Sequence, residues 1–527
     1  MRRAILAIDE GTTGTRAAWV SETGEVGGLH YQRLGVDSPR PGVVEQDATE
    51  ILTATISVVR AAYASAVEAG IEVTAVSIAA QRATATLWDT VTGRPLAPSM
   101  VWQDSRHSTE LAGLADEWDN RLWPSVGRPT GVRSVYLWAK HLLGDPNRVE
   151  LREARASGRL AFGTIDTWLL WNLTGEQTPM VGTTNATSSG AYVLADHAYH
   201  HDYIDTLGFP GDLLPELRDD VGDFGFLRPE ILGVELPVHV AIGDQHAGIV
   251  GLGAISAGQA MCVHGTGSFV DLNVGSTLPE NAGRYEGALS LVGWRAEGRS
   301  VFSVETFAAT TGSAIDWLID TLRLFDSAQE LSRLAASGRH SHVVSIPALT
   351  GVRMPRVHTG VGALLAGLST ATTREDIALS VLEGIAQSVT WCLHADEEVA
   401  AMRADHVTVG GGLSKSDPLI QLQADLSGLP HLRYGDTDKA SLRGAAFLAG
   451  VHSGLWSDLA EATSTLGAPD VFEPRLSPAE RDERTGDWRA RVDAEIALAD
   501  AREARTATHI AADLGSHTDT DRRDTAV

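Results

Sequence analysis

AILAIDEGTTGTRAAWV, residues 4–20, sets two apolar runs on either side of a Gly/Thr cluster, and AMCVHGTGSFVDLNV, residues 260–274, repeats the arrangement in the middle of the chain. Residues 4–9 and 16–20 have the composition of strands, and EGTTGT between them is built of residues that tolerate left-handed dihedrals or bond their own backbone. Each stretch reads as a β-hairpin. Self-similarity inside one chain is stronger evidence of architecture than either turn alone. From LPVHVAIGDQHAGIV onward strand, helix and glycine punctuation begin again, so the chain reads as a duplicated α/β fold with a boundary near residue 246.

Around the first hairpin the pattern predicts a helix over 50–67, a buried strand VTAVSIAA at 73–80 and a second strand TATLWD at 84–89. In the second half TTREDIALSVLEGIAQSVTWCL reads as a helix. Thr372 and Glu375 form an S/T-x-x-E capping box, and Ile377, Val381, Ile385 and Val389 recur at helical spacing. SPAE, from residue 477, offers a Ser N-cap followed by Pro at the first helical position. The expected segments are 1–246, 247–460, a helical extension 461–505, and a polar, disordered tail 506–527.

A chain of 527 residues with 43% apolar and 21% charged residues is long enough for more than one globular core. Its formal charge of −26 opposes the phosphate backbone and argues against nucleic acid as a partner. No uninterrupted apolar run reaches the length of a spanning helix, which gives no basis for a membrane assignment. Cys262 and Cys392 lack metal-ligand spacing and no basic-then-apolar leader opens the chain, which fits a cytoplasmic protein. The three lysines and the absence of GxxxxGK[ST] exclude a P-loop. A homo-oligomer is left open.

A Gly/Thr turn presents unpaired backbone N–H groups and small hydroxyls without side-chain bulk, which suits phosphate; it also simply connects strands. Two such turns at duplicated positions favour the phosphate reading. Asp9 ends the first strand, where a carboxylate holds a hydrated Mg²⁺ or serves as an Asx-turn. Asp244 ends another, where it accepts a substrate proton or caps a helix; His246 beside it reads as structural. GGGLS at 410–414 lets a ring or phosphate lie against backbone, or merely turns strand into helix. Arg82 and Trp102, near strand ends, suit a small polyhydroxy ligand or equally the surface or core.

AIDEGTTGTRA, AAQRATAT, VWQDSR, FGTIDTWLLWNLTG, TTNAT, IGDQHA, GTGSF, TTGSAIDWL, GGGLSKSDPLIQ and GALLAGLSTATTREDIALSVLEGIA stand in the order seen in the FGGY carbohydrate kinases. Over residues 4–455 the chain resembles that family, most of all its glycerol kinase branch. The resemblance implies two actin-like (RNase H-like) domains that close over Mg·ATP and a polyol or sugar. It implies Asp244 as the base and, with Asp9, the magnesium support. Thr12, Thr13, Gly14 and Arg16 would meet the phosphates from one domain and Thr266 from the other. Gly312, Asp316, Gly412 and Ser416 would flank the nucleotide. Arg82, Trp102, Asp244, Gln245 and Phe269 would meet the acceptor.

The acceptor pattern departs at two positions. Ala83 stands where the family carries Glu, and Arg133 stands where a Tyr contact is expected. Losing a buried acceptor while gaining a cation changes ligand choice, because sites that hydrogen-bond hydroxyls reject ligands that leave groups unpaired. Glycerol, a longer polyol (erythritol, xylitol), a ketose (xylulose, ribulose) or a hydroxy acid meeting Arg133 all fit. A non-catalytic nucleotide-binding sensor of the same architecture is the alternative from another class.

Overall fold

The computed structural model describes residues 2–340 and 342–520, with 507–520 as backbone alone. Strand Arg2–Gly11 pairs antiparallel with Gly14–Ser21, which pairs with Val26–Arg33; on its other flank lie Ile71–Ala80 and then Val238–Gly243, both parallel. In the second half Gln259–His264 pairs antiparallel with Ser268–Gly275, which pairs with Arg299–Ala308; His406–Gly411 and His431–Arg433 follow in parallel. Apart from two added edge strands, Leu289–Ala296 and Asp470–Phe472, the second sheet repeats the first in order and direction. The duplication announced by the hairpins extends to five strands in each unit.

Parallel neighbours require a crossover, and a long helix supplies it in each half. Ala48–Glu68 starts at Asp47, whose side chain accepts from Thr49 N at 2.8 Å. Ala48, Ile51, Ala54, Val58, Val59 and Ala62 form a buried stripe at helical spacing against the first sheet. Among the described residues this is the one helix long and apolar enough to cross a membrane; that apolar face is covered by the protein's own core.

Its counterpart, Arg374–Ala400, corrects the sequence reading by one residue. The capping box is Thr373 with Asp376, not Thr372 with Glu375. Thr372 Oγ1 instead accepts from Ser369 N at 2.9 Å, in the turn before the helix. Thr373→Ala is therefore expected to destabilise the protein by about 1 kcal/mol, and Thr372→Ala by less, in urea titrations. The C-terminal helix Pro478–Thr520 starts as SPAE indicates, Ser477 and Glu480 bonding reciprocally. Its backbone runs past residue 506, where the sequence placed the start of a disordered tail; residues 521–527 lie outside the described residues.

Between Ile71–Ala80 and Val238–Gly243 the first half carries an insertion whose small sheet joins Ala85–Asp89, Ser99–Met100 and Leu160–Thr164 with Glu45–Gln46. Trp118, Tyr136, Trp138, Phe162 and Phe209 fill its core. The two halves meet through helices Asp244–Gly251 and Ala440–His452, each following the last parallel strand of its unit. Residue 246 falls inside the first of these helices.

Candidate active site

Three parallel strands, Arg2–Gly11, Ile71–Ala80 and Val238–Gly243, end at one edge of the first sheet and deliver Asp9, Arg82 and Asp244 there. Ligand sites of open α/β sheets form outside such carboxyl ends. Arg82 Nε lies 3.9 Å from Asp244 Oδ1, and its Nη2 lies 2.8 Å from Glu305 Oε2, which comes from the second half. The guanidinium also sits 5.9 Å from the Phe269 ring centroid. Asp244 keeps a third of its side chain exposed to the cleft. Loss of hydration pushes its pKa up to about 6; Arg82 pulls it down, while the Asp9 and Glu305 carboxylates push it further up.

The first hairpin hangs over the same edge. Its turn, Thr12–Thr13, is closed by the pair Gly11 and Gly14. Thr12 Oγ1 accepts from Trp102 Nε1 at 2.8 Å, and its carbonyl accepts from Gln46 Nε2 at 2.8 Å. Tyr31, whose hydroxyl donates to the Thr13 carbonyl, lies so near that a Cβ on Gly14 would stand 2.3 Å from it. Arg16, opposite Asp9 in the ladder, donates Nε to Asp9 Oδ2 at 2.8 Å and Nη1 to the Asp438 carbonyl at 2.7 Å. The hairpin is thereby tied to the other lobe.

Across the seam the second hairpin turns at Gly265–Gly267. The Thr266 carbonyl accepts from Ser313 N at 3.0 Å, and a Cβ on Gly312 would meet the Gly265 carbonyl at 2.3 Å. Gly411, at φ +82, has the His264 carbonyl where a side chain would begin. Only glycine permits both approaches. Thr266, Gly312 and Gly412 thus cluster beside a cleft of about 830 Å³ lined by Ile315, Ser332, Gly412, Leu413, Ser416 and Phe472. Ser416 reaches Ser332 at 2.8 Å. Asp316 does not line this cleft: the five-residue helix Gly312–Asp316 turns Ile315 toward it and leaves Asp316 exposed.

The lobes interlock at the seam. Gln245 Nε2 donates to Asp271 Oδ2 at 2.7 Å, so the residue after Asp244 holds the strand that leaves the second hairpin. Arg133 lies 5.9 Å from the Trp102 ring centroid. His246 is buried, and neither ring nitrogen has a hydrogen-bond partner among the described residues. The sequence reading missed Glu305, Arg128 and the Gln81 network. Gln81 Nε2 donates to Gln46 at 2.9 Å and to Glu10 at 3.2 Å, behind the hairpin. Glu305 and Glu10 carry one sequence signal, a charged residue inside an apolar strand, as in SVETF and LAIDE; Arg128 and Gln81 lie outside strands and carry none.

Duplicated lobes, opposed glycine hairpins and a carboxylate at the seam define a phosphoryl-transfer enzyme, an ATP-dependent phosphotransferase. Residues 4–251 match the model for the FGGY family of carbohydrate kinases, N-terminal domain, and residues 260–453 that for its C-terminal domain. The chain belongs to the FGGY family of carbohydrate kinases. A glycerol kinase of Dechloromonas aromatica (strain RCB) is 34% identical over 501 residues, covering 94% of this chain and 98% of its own. One from Thermus brockianus is 33% identical over 491 residues, covering 93% and 98%. The crystal structure of Plasmodium falciparum glycerol kinase with ADP has the same fold, with a TM-score of 0.86 at 23% identity, covering 94% of this chain and 98% of that one.

Proposed function

We propose that the chain transfers the γ-phosphoryl group of ATP to a primary hydroxyl of a small polyhydroxy acceptor, the glycerol kinase reaction being the nearest in kind. The observation that carries this reading is Asp244, open to the cleft between Arg82 and Asp9 and facing the second hairpin's lobe. The acceptor oxygen bonds to the γ-phosphorus, the bond from that phosphorus to the β,γ-bridging oxygen breaks, ADP leaves, and the hydroxyl proton passes to Asp244. Arg82 and Trp102 orient the acceptor, with Phe269 packing against Arg82. Thr12, Thr13 and Gly14 offer backbone N–H groups from one lobe and Thr266 from the other. Gly412 and Ser416 border the space for the nucleoside, with Gly312 packed against the Gly265 carbonyl beside them. Such transfer depends on positioning and charge neutralisation, and closure keeps water from competing.

The donor set fits a hydrated magnesium ion. Asp9 Oδ2 is held by Arg16 while its other oxygen has no partner among the described residues, and Asp244 stands close enough to feel its charge. Bound there with ATP, Mg²⁺ would neutralise phosphate charge. ADP release measured across glycerol, erythritol, xylitol, xylulose and ribulose tests the reading; nucleotide binding without turnover of any acceptor would favour the sensor.

A pH dependence follows. Asp244 acts as carboxylate, and its pKa stands near 6 under the opposing pulls of burial, Arg82, Asp9 and Glu305. Activity should therefore be present above that value and fall as pH drops through it. kcat/KM is expected to lose about tenfold per pH unit below an apparent pKa near 6. A profile flat from pH 5 to 7 contradicts Asp244 as the base.

A further inference from the structure

Next to Arg82 in the chain, Ala83 lines a narrow recess of about 10 Å³, room for one water-sized group such as a single oxygen, walled also by Arg128, Arg133, Ser188 and Ser189. Ala83 is buried in the left-handed region at φ +53, a conformation costly for any residue with a Cβ and concentrated at ligand sites.

Three guanidinium groups gather there. Arg82 is paired with Glu305. Arg128 gives Nη1 to the Ser188 carbonyl at 2.9 Å, a neutral acceptor. Arg133 has no side-chain hydrogen bond or ion pair among the described residues; its Nε is sealed from solvent, and its guanidinium lies 5.9 Å from the Trp102 ring centroid. Burial and the neighbouring arginines push its pKa down to about 9, which leaves it charged at neutral pH. A cation drawn out of water without a counter-ion is costly, and a protein retains one where a ligand completes it. The charges also count. Arg82 has Glu305 at 2.8 Å, whereas no carboxylate pairs with Arg128 or Arg133 among the described residues.

We propose that the recess binds the carboxylate of the acceptor, so that the preferred substrate is a polyhydroxy acid rather than a neutral polyol, with Arg133 and Arg128 on the carboxylate and Arg82 and Asp244 on the hydroxyl end. This rests on the kinase reading above. A guanidinium fork takes a carboxylate through two parallel hydrogen bonds. A neutral polyol of the same length would leave both arginines unpaired, the situation in which sites discriminate most strongly.

The test compares acids with polyols of equal chain length: glycerate with glycerol, erythronate with erythritol, xylonate with xylitol, and glycerol phosphate as the phosphate arm. ADP release is followed with the wild type, Arg133→Met and Arg133→Lys, folding being checked by Tm. At least one acid should exceed its polyol by about 10² or more in kcat/KM. Arg133→Met should reduce that acid's kcat/KM far more than its polyol's, chiefly through KM, and Arg133→Lys should recover part of the loss. Polyols used as well as acids, or Arg133→Met lowering both equally, overturns the inference and leaves the kinase standing; a preference for the phosphate ester overturns the carboxylate. Should nothing turn over, the kinase reading fails by itself. Calorimetry of the same acids with the Mg·ADP-loaded protein then decides: binding lost in Arg133→Met upholds the recess, and no binding of any acid refutes it.

Discussion

Asp244→Asn is expected to lower kcat by about 10²–10⁴ while the affinity for ADP stays within a few-fold of wild type. Asn has nearly the same shape, and its side-chain oxygen can keep the bond from Gln245 N, made by Asp244 Oδ1 at 2.8 Å. The helix Asp244–Gly251 therefore retains its start. Arg82 loses a partner at 3.9 Å but keeps Glu305 at 2.8 Å, so the acceptor side is not left with a free cation. What disappears is the group that takes the hydroxyl proton. Single-turnover transfer in rapid quench should show the slow step in chemistry, and the acidic limb near pH 6 should vanish with the carboxylate. A decrease below tenfold in the single-turnover rate would sink the assignment of Asp244 as base. Calorimetric titration with ADP supplies the control, because a collapsed cleft would weaken both measurements together.

The sheet was the most legible part of this chain, because a hairpin of two apolar runs and a Gly/Thr turn is local and occurs twice. Asp9 and Asp244 were legible for the same reason: each ends a parallel strand, and parallel strands deliver their ends to one edge. Glu305 was not. It stands far along the chain from Arg82, and alternation in a strand says that a side chain faces one side without saying what waits there. The capping box was ambiguous by one residue, since Thr372–Glu375 and Thr373–Asp376 carry the same spacing; only the Ser369 turn, which occupies the Thr372 hydroxyl, decides between them. Asp316 shows the limit of helical phase: it is exposed while Ile315 faces the cleft. A five-residue helix passing into the wider turn Trp317–Thr321 does not keep the face that an aligned residue implies.

Charge shows a similar split between the whole and the part. A surface carrying −26 repels anions at long range, whereas the cleft gathers Arg16, Arg82, Arg128 and Arg133 around its phosphate and acceptor ends. Asp271 and Asp396, buried behind this group, are pushed well above the ordinary carboxylate range by loss of hydration. Screening in about 0.15 M salt confines the surface repulsion to roughly 8 Å, so the interior field governs a ligand once it enters.

Gly444→Ala and Gly251→Ala should each destabilise the protein by about 2–3 kcal/mol, large effects for the addition of one methyl group. The helices Asp244–Gly251 and Ala440–His452 cross where Gly251 meets the Ala440 carbonyl and Gly444 meets the Ala247 carbonyl. Each helix carries the same pattern, Ala247 four residues before Gly251 and Ala440 four before Gly444, so the contact repeats itself as the duplicated fold requires. A Cβ built at Gly444 would stand 1.7 Å from the facing oxygen and one at Gly251 1.8 Å, far inside van der Waals contact, and the obstacle is backbone that no rotamer change can move. The helices must part. Parting them loosens the cluster of Ile5, Ala7, Val250, Phe447 and Trp456 that joins the lobes. Gly486→Ala is the contrast, since nothing lies within 4 Å of its Cβ in the helix Pro478–Thr520, and there helix propensity should raise stability by about 0.5–1 kcal/mol. Scanning calorimetry of the three variants should give two downward shifts in Tm and one upward; a wild-type Tm for Gly444→Ala would mean that the lobes do not depend on this close crossing. Because Asp244 opens the first of these helices, the two seam variants should also lose activity at temperatures where they remain folded.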